Sequence, residues 1–268
     1  SPGAVVLGFR PADPGLYGRL ILNHQGQLQK IVEAHDATPE QLSVGLCNSG
    51  LMAVHSVDFF KLLSRVDNNT AKREYYLTDV IDIFIKNGIE CVAIESSDPD
   101  ELIGVDNRAD LARVEAIAQD NLRSSAMENG ATLVAPETVF FSFDTVLGRD
   151  VLIEPNVFFA PGVTIGDNVT IHSFCHLSGV FVANGATIGP FARLRPGTRV
   201  GERVNLLEND ETRAQKNLLI EIKNATLEKD VKINHLTYIG DAGVGANSNI
   251  GAGTITCNYD GKIGRAHV

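Results

Sequence analysis

The chain has 268 residues, of which 44% are hydrophobic and 21% are charged, with a formal net charge of -10. This balance is typical of a soluble globular protein long enough for two domains, and no apolar run is long enough to cross a bilayer. The acidic balance disfavours a nucleic-acid-binding surface, which needs clustered lysine and arginine.

The first half of the chain alternates short apolar runs with helical stretches, as α/β domains do. The segments AVVLGF (residues 4–9) and ECVAIE (residues 90–95) predict buried strands. Residues 57–64 and 74–87 carry apolar side chains at helical spacing, so we expect a helix in each. The second of these helices has an apolar stripe formed by Tyr76, Val80, Ile81 and Phe84.

Residues 108–129, RADLARVEAIAQDNLRSSAMEN, predict a long helix that ends before Gly130. We interpret this helix as a linker leading out of the first domain. Its apolar positions are Leu111, Val114, Ile117 and Ala118. The predicted domains are therefore a partial nucleotide-binding domain over 1–106, a linker helix over 107–130 and a repeat domain over 131–268.

Beyond the linker, apolar residues recur every six positions in two phases. The first phase contains Leu147, Ile153, Phe159, Ile165, Ile171 and Leu177, and the second contains Val151, Val157, Val163, Val169, Cys175 and Phe181. The count slips by one near Gly185, and resumes at Ile188, Leu194 and Val200, then at Leu227, Ile233 and Ile239, and at Val244, Ile250 and Thr256. A period of six predicts a parallel β-helix, in which every sixth side chain points inward. Ordinary antiparallel strands with accidental spacing are the alternative, and twelve matches before the first slip disfavour it.

Several long motifs resemble one bacterial enzyme family, N-acetylglucosamine-1-phosphate uridylyltransferase joined to glucosamine-1-phosphate N-acetyltransferase. In the repeat region they are IGPFARLRPGTRVG, IEIKNATL, NHLTYIGDAGVG and NIGAGTITCNYDG. In the first half they are YGRL, IVEAHDAT, CNSGLM, EYYLTDVI and GVDNRADLARVE. The resemblance covers nearly the whole chain, and the motifs occur in the family's order.

The resemblance implies a Rossmann-like nucleotidyltransferase domain, present here as its C-terminal half, followed by a left-handed parallel β-helix of hexapeptide repeats. The family's first domain makes UDP-N-acetylglucosamine from UTP and N-acetylglucosamine-1-phosphate with Mg²⁺. The second domain trimerises and acetylates glucosamine-1-phosphate with acetyl-CoA. Both products serve peptidoglycan and lipopolysaccharide synthesis. We therefore expect a bifunctional transferase that forms a homotrimer and acts on small-molecule substrates.

In the acetyltransferase half, the resemblance gives His235 the role of the base, which suits the intrinsic pKa of histidine. A sugar phosphate needs cationic partners. The residues that match the family's glucosamine-phosphate site are Arg195, Lys223, Tyr238 and Asn249. Those that match its acetyl-CoA site are Ala252, Asn258 and Tyr259. We expect Cys257, beside them, to be a buried and inert thiol.

In the nucleotidyltransferase half, Gly18, Glu33, Asn48 and Asp106 match positions of the family's UDP-sugar site. Asp106 stands where the family has a magnesium-binding asparagine, and a carboxylate is also a suitable Mg²⁺ ligand. The family's glycine-rich triphosphate loop and its metal-binding aspartate lie upstream of the motifs found here. We therefore interpret the chain as an internal piece whose uridylyltransferase centre is incomplete.

Two segments depart from the family pattern. Residues 205–219 break the hexad count and predict an insertion, and the tail 262–268 does not match the family's continuation. The alternatives are a non-catalytic, trimerising β-helical fragment and a zinc enzyme like the γ-class carbonic anhydrases, which would need three converging histidines. Four widely spaced cysteines with no CxxC pair, and no signal peptide, favour a cytoplasmic location.

Overall fold

The computed structural model describes residues 2–55, 59–67, 73–207 and 219–257. The chain forms two compact units, residues 1–115 and 116–268. Within the described residues, no helix is both long and apolar enough to span a membrane.

The first unit is built on a mixed five-stranded sheet. Its strands are β1 (Ala4–Phe9), β2 (Arg19–Leu22), β3 (Leu28–Val32), β4 (Cys47–Val54) and β5 (Cys91–Glu95), in the order β3-β2-β4-β1-β5. β1 runs parallel to β5 and antiparallel to β4, and β2 runs antiparallel to β3 and β4. Both predicted strands, β1 and β5, are confirmed, and the unit is α/β as expected.

Four α-helices occur in the described residues. They are α1 (Pro39–Leu42), α2 (Phe59–Leu63), α3 (Val80–Lys86) and α4 (Arg108–Glu128), with shorter 3₁₀ turns at Leu77–Asp79, Pro99–Leu102 and Pro136–Thr138. α3 begins six residues later than predicted, because residues 73–76 are irregular and a 3₁₀ turn precedes the helix. Three of the four predicted stripe residues, Val80, Ile81 and Phe84, are fully buried, whereas Tyr76 lies ahead of the helix and is half-buried.

The second unit is a parallel β-helix of short strands. They are β6 (Thr132–Leu133), β7 (Val146–Leu147), β8 (Leu152–Ile153), β9 (Phe158–Phe159), β10 (Thr164–Ile165), β11 (Thr170–Ile171), β12 (His176–Leu177), β13 (Phe181–Val182), β14 (Thr187–Ile188), β15 (Ala192–Leu194), β16 (Arg199–Val200), β17 (Asn205–Leu206), β18 (Ile220–Lys223), β19 (Thr226–Leu227), β20 (Lys232–Ile233), β21 (Thr237–Gly240), β22 (Gly243–Val244) and β23 (Asn249–Ile250). The first face of the solenoid contains β7, β10, β13, β16, β19 and β22; the second contains β6, β8, β11, β14, β17, β20 and β23; the third contains β9, β12, β15, β18 and β21. The hexapeptide prediction is confirmed.

The inward column is apolar, as the hexad count predicts. Val151, Val157, Val163 and Val169 are fully buried, and Ile153 and Ile171 are too. Parallel stacking of the coils turns these positions into continuous ladders, so the buried side chains contact their equivalents one coil above and below.

The position of the slip was wrong in the sequence analysis. After Cys175 and Leu177, the next buried pair is Val180 and Val182, each at most 2% exposed, whereas Phe181 is 39% exposed. The turn between β12 and β13 is one residue shorter than its neighbours and has Gly179 at φ 55°. The slip therefore lies just ahead of Phe181 and not near Gly185.

One coil carries extra residues. Phe181 pairs with Arg199, 18 residues later, but Arg199 pairs with Thr226, 27 residues later. The nine additional residues fall between β17 and β18, where the sequence predicts an insertion over 205–219. Residues 208–218 and the tail 262–268 lie outside the described residues.

The C-terminal part of α4 packs on the first coil through polar groups. Gln119 exchanges two hydrogen bonds with the backbone of Phe141, at 2.7 and 2.9 Å, and Arg123 donates to the Val139 carbonyl at 3.1 Å. Both side chains are buried, whereas Leu111 and Ala118 are exposed. Val114 and Ile117 are half-buried, and the apolar side chains that also pack against the solenoid core are Leu122 and Ala126, which were not among the positions marked from the sequence.

Candidate functional site

The third face carries a pair of cations on neighbouring strands. β15 and β18 pair Ala192 with Ile220 and Leu194 with Ile222, which are all buried. Because side chains alternate along a strand, the next residues on each strand, Arg195 and Lys223, both point outward. The Arg195 amide donates to the Ile222 carbonyl at 2.7 Å, so the parallel register continues to this point.

Glu221 sits beside this pair and is a site residue that the sequence analysis missed. Its carboxylate accepts a hydrogen bond from Nη1 of Arg195 at 2.9 Å, and the two side chains are 26% and 38% exposed. A half-buried ion pair restrains the long arginine side chain and leaves its other guanidinium nitrogens for a second anion. The signal was the strict alternation in IEIK, which places Glu221 and Lys223 on one face.

Tyr238 comes to the same face from the next coil. β18 and β21 pair Glu221 with Tyr238 and Lys223 with Gly240. A side chain at Gly240 would overlap the Tyr238 ring and hydroxyl, so the tyrosine lies across this glycine, beside the strand position of Lys223. The lack of a Cβ at Gly240 thus makes room for the phenol.

A second cluster lies at the corner between the second and third faces. His235 is half-buried in the turn between β20 and β21, and its carbonyl accepts from the Gly253 amide at 3.1 Å. Asn234 donates to Asn249 Oδ1 at 3.4 Å and to the Ile250 carbonyl at 3.1 Å. Ala252 precedes Gly253, so three predicted site residues, His235, Asn249 and Ala252, belong to one corner of two successive coils.

The two clusters are joined by the start of β21. His235 and Tyr238 are three residues apart, and the chain turns between them at Leu236, whose φ is 57°. Arg195, Lys223 and Tyr238 thus share an outward face, and His235 lies at the edge of that face.

In the first unit, the structure brings three further predicted residues together. The backbone amide of Asn48 donates to the Gly18 carbonyl at 2.8 Å. A Cβ at Gly18 would lie 3.2 Å from the Glu33 carboxylate, which accepts from the Thr78 hydroxyl at 2.8 Å. Burial, together with neighbouring carboxylates, raises the pKa of Asp79. Gly18, Glu33 and Asn48 are therefore neighbours at the start of β2, close to a second carboxylate, that of Asp79.

Comparison with known proteins agrees with this architecture. Residues 144–179 match the family model described as bacterial transferase hexapeptide (six repeats). The bifunctional protein GlmU of Azorhizobium caulinodans is 54% identical over 256 residues, which cover 96% of this chain and 54% of that protein. GlmU of Paramagnetospirillum magneticum is 52% identical over 261 residues, covering 97% and 56%. Over nearly its whole length, the chain is similar to GlmU proteins.

The resemblance drawn from the motifs is thereby confirmed, and the chain spans about half the length of the curated GlmU relatives it matches. Among solved structures, a GDP-perosamine N-acetyl transferase from Caulobacter crescentus aligns with 64% of this chain and 84% of its own, at 15% identity and a TM-score of 0.28. A superposition this loose adds nothing to the assignment.

Two of the residues predicted to contact acetyl-CoA, Asn258 and Tyr259, lie outside the described residues. Cys257, the last residue before them, is exposed, so its expected burial was wrong.

Magnesium binding is not supported by the donors that the described residues provide. Asp106 is exposed, and its backbone amide donates to Asp110 at 3.3 Å. No group of three or more histidine, cysteine, aspartate or glutamate side chains in the described part of the chain is arranged to hold a metal ion. One exposed carboxylate is too few ligands for this hard cation, so no chemical step is assigned to a metal here.

The remaining solenoid histidines have structural partners. His172 Nδ1 lies 2.9 Å from Glu154 Oε1, and the His176 ring stacks on Phe158 with centroids 5.1 Å apart. The two histidines lie on different sides of a coil corner, as expected. They provide no basis for the zinc-enzyme alternative.

Proposed function

We propose that the β-helix transfers the acetyl group of acetyl-CoA to the amine of glucosamine-1-phosphate, and that the first unit holds UDP-N-acetylglucosamine, the product of uridylyl transfer from UTP to N-acetylglucosamine-1-phosphate. Both steps belong to UDP-N-acetylglucosamine biosynthesis. The observation that carries the proposal is the placement of Arg195 and Lys223 side by side on the third face, with His235 at the edge of that face.

The two cations supply the phosphate site. A sugar phosphate carries nearly two negative charges at neutral pH, and a guanidinium offers it two parallel hydrogen bonds while an ammonium adds a point charge. Glu221 keeps the Arg195 guanidinium oriented, which lowers the entropy lost when the phosphate binds. Tyr238 and Asn249 add hydrogen-bonding groups on either side of His235.

His235 supplies the base. The neutral amine of the sugar attacks the thioester carbonyl, its N–C bond forms, and the C–S bond of acetyl-CoA breaks. The imidazole takes the proton that the amine nitrogen loses, and the leaving thiolate is protonated in turn. Ala252 is small enough for the thioester to approach the corner closely.

The assay that tests this function measures free CoA and N-acetylglucosamine-1-phosphate by mass spectrometry after the chain is mixed with acetyl-CoA and glucosamine-1-phosphate. We expect both products in equal amounts, and their loss in His235→Ala but not in His172→Ala. A purified, folded chain that yields neither product would support the non-catalytic scaffold instead. The homotrimer, the cytoplasmic location and the Mg²⁺ requirement stay predictions from the family.

A further inference from the structure

The loop that precedes β2 is held by a buried arginine. Arg19, the first residue of β2, is 3% exposed. Its guanidinium donates to the Gly15 carbonyl at 3.1 Å, to the Pro14 carbonyl at 3.3 Å and to the Tyr17 carbonyl. Within the described residues it forms no ion pair with a carboxylate, so a full positive charge is buried against three backbone dipoles.

Burying a charge without a counter-ion is costly, and main-chain carbonyls offset only part of that cost. The bonds at Arg19 all go to one loop, residues 14–17, and they fix that loop at several points. The residue between this loop and Arg19 is Gly18, whose carbonyl accepts from Asn48. Arg19 therefore sets the position of the residue that faces Glu33.

Tyr17 ties the same loop to a distant one. Its ring packs edge-to-face on the buried Phe9, with centroids 5.0 Å apart, and its hydroxyl accepts a hydrogen bond from the Gly104 amide at 2.8 Å. Gly104 lies two residues before Asp106. A single phenol hydroxyl thus connects the loop that ends at Gly18 with the loop that carries Asp106.

We infer that Tyr17 and Arg19 are positioning residues for the UDP-sugar pocket of the first unit, which rests on the function proposed above. Neither side chain is placed in contact with the sugar nucleotide. Arg19 fixes the backbone of residues 14–17, and the Tyr17 hydroxyl sets the distance between that backbone and the loop at Gly104. Gly18 and Asp106 then approach the ligand from two sides in a fixed geometry.

The test uses Tyr17→Phe in the whole chain, because this variant loses the hydroxyl and keeps the ring on Phe9. We expect the Gly104 amide to exchange with solvent faster, and UDP-N-acetylglucosamine to bind about three- to tenfold more weakly by calorimetry, since one hydrogen bond is lost. The matched control is Tyr75→Phe, whose ring is 69% exposed. It should change neither quantity.

A second variant, Arg19→Lys, keeps the charge but loses the planar set of donors, and it too should weaken binding, whereas the exposed Arg10→Lys should not. The urea midpoint of each variant separates positioning from simple destabilisation: the Tyr17→Phe midpoint should stay close to that of the original chain. Unchanged affinity and unchanged Gly104 exchange in Tyr17→Phe would overturn the inference. Absence of UDP-N-acetylglucosamine binding by the original chain would overturn the proposed sugar-nucleotide site itself, and the positioning role with it.

Discussion

The corrected hexad register gives opposite orientations to two adjacent residues. Val182 is fully buried in the inward column, whereas Phe181 is 39% exposed, with the Arg199 guanidinium 4.9 Å from the centre of its ring. Aspartate at position 182 would bury a carboxylate with no partner, which costs several kcal/mol, a large part of the about 5–15 kcal/mol that stabilises a typical domain. Aspartate at 181 faces water.

For Phe181→Asp, we expect a loss of only about 1–2 kcal/mol, from the ring's partly buried area and its cation–π contact, with an Asp–Arg199 attraction offsetting part of it. The assay is urea unfolding followed by far-UV circular dichroism, because the chain has no tryptophan. Val182→Asp should either unfold the solenoid or lower its urea midpoint far more than Phe181→Asp does, while the dependence of the unfolding free energy on urea stays similar. The reverse order would place Phe181 inside and refute the register.

Three further predictions follow from individual contacts. Burial acts to raise the pKa of Glu154, but hydrogen bonds from His172 and Ser173 hold this pKa below its usual value. The stability that Glu154 contributes is therefore fully present above the pKa of an unfolded glutamate and is lost as pH falls through the lower folded pKa. In Glu154→Gln, the free energy of unfolding should fall less steeply over this acidic range, as measured by unfolding at several pH values. Burial raises the pKa of Cys175 to about 12, so a thiol reagent at pH 8 should modify exposed Cys257 quickly and Cys175 only after denaturation, and equal rates would contradict the described packing. Arg195→Lys should raise the KM for glucosamine-1-phosphate about tenfold, because an ammonium cannot bind the phosphate through two parallel bonds; an unchanged KM would remove Arg195 from the phosphate site.

The solenoid was predictable because its core is a local pattern. Each inward position follows from its neighbours six residues away, so the count needs no knowledge of tertiary contacts. The slip was misplaced because Phe181 is apolar and satisfied the count, although a turn shortened at Gly179 directs its ring outward. Apolar character alone does not distinguish an inward valine from an exposed phenylalanine.

The packing of α4 shows a different limit. Its buried side chains are Gln119 and Arg123, which bond to backbone groups of the first coil. A hydrophobic pattern does not show which backbone amide and carbonyl groups of a neighbouring coil are available to bond a polar side chain. The four apolar positions marked from the sequence therefore include neither of the two buried residues.

The sequence named candidate site residues but gave no geometry for them. Motif resemblance selected Arg195, Lys223 and His235, whereas the parallel register revealed that Glu221 pairs with Arg195 and that Tyr238 lies across Gly240. The Arg195–Glu221 bond joins residues 26 positions apart, and β18 and β21 pair residues 17 positions apart, which brings Tyr238 beside Glu221. They depend on how many residues each coil contains, including the insertion between β17 and β18.

The central claim is that the third-face cations and the corner histidine serve one reaction, and steady-state kinetics of acetyl transfer tests it most directly. In His235→Ala we predict that kcat falls about 100- to 10,000-fold while the KM for glucosamine-1-phosphate changes little. In Lys223→Ala we predict that this KM rises at least about tenfold while the KM for acetyl-CoA is unchanged. Full kcat in His235→Ala, or an unaltered sugar-phosphate KM in Lys223→Ala, would contradict the account.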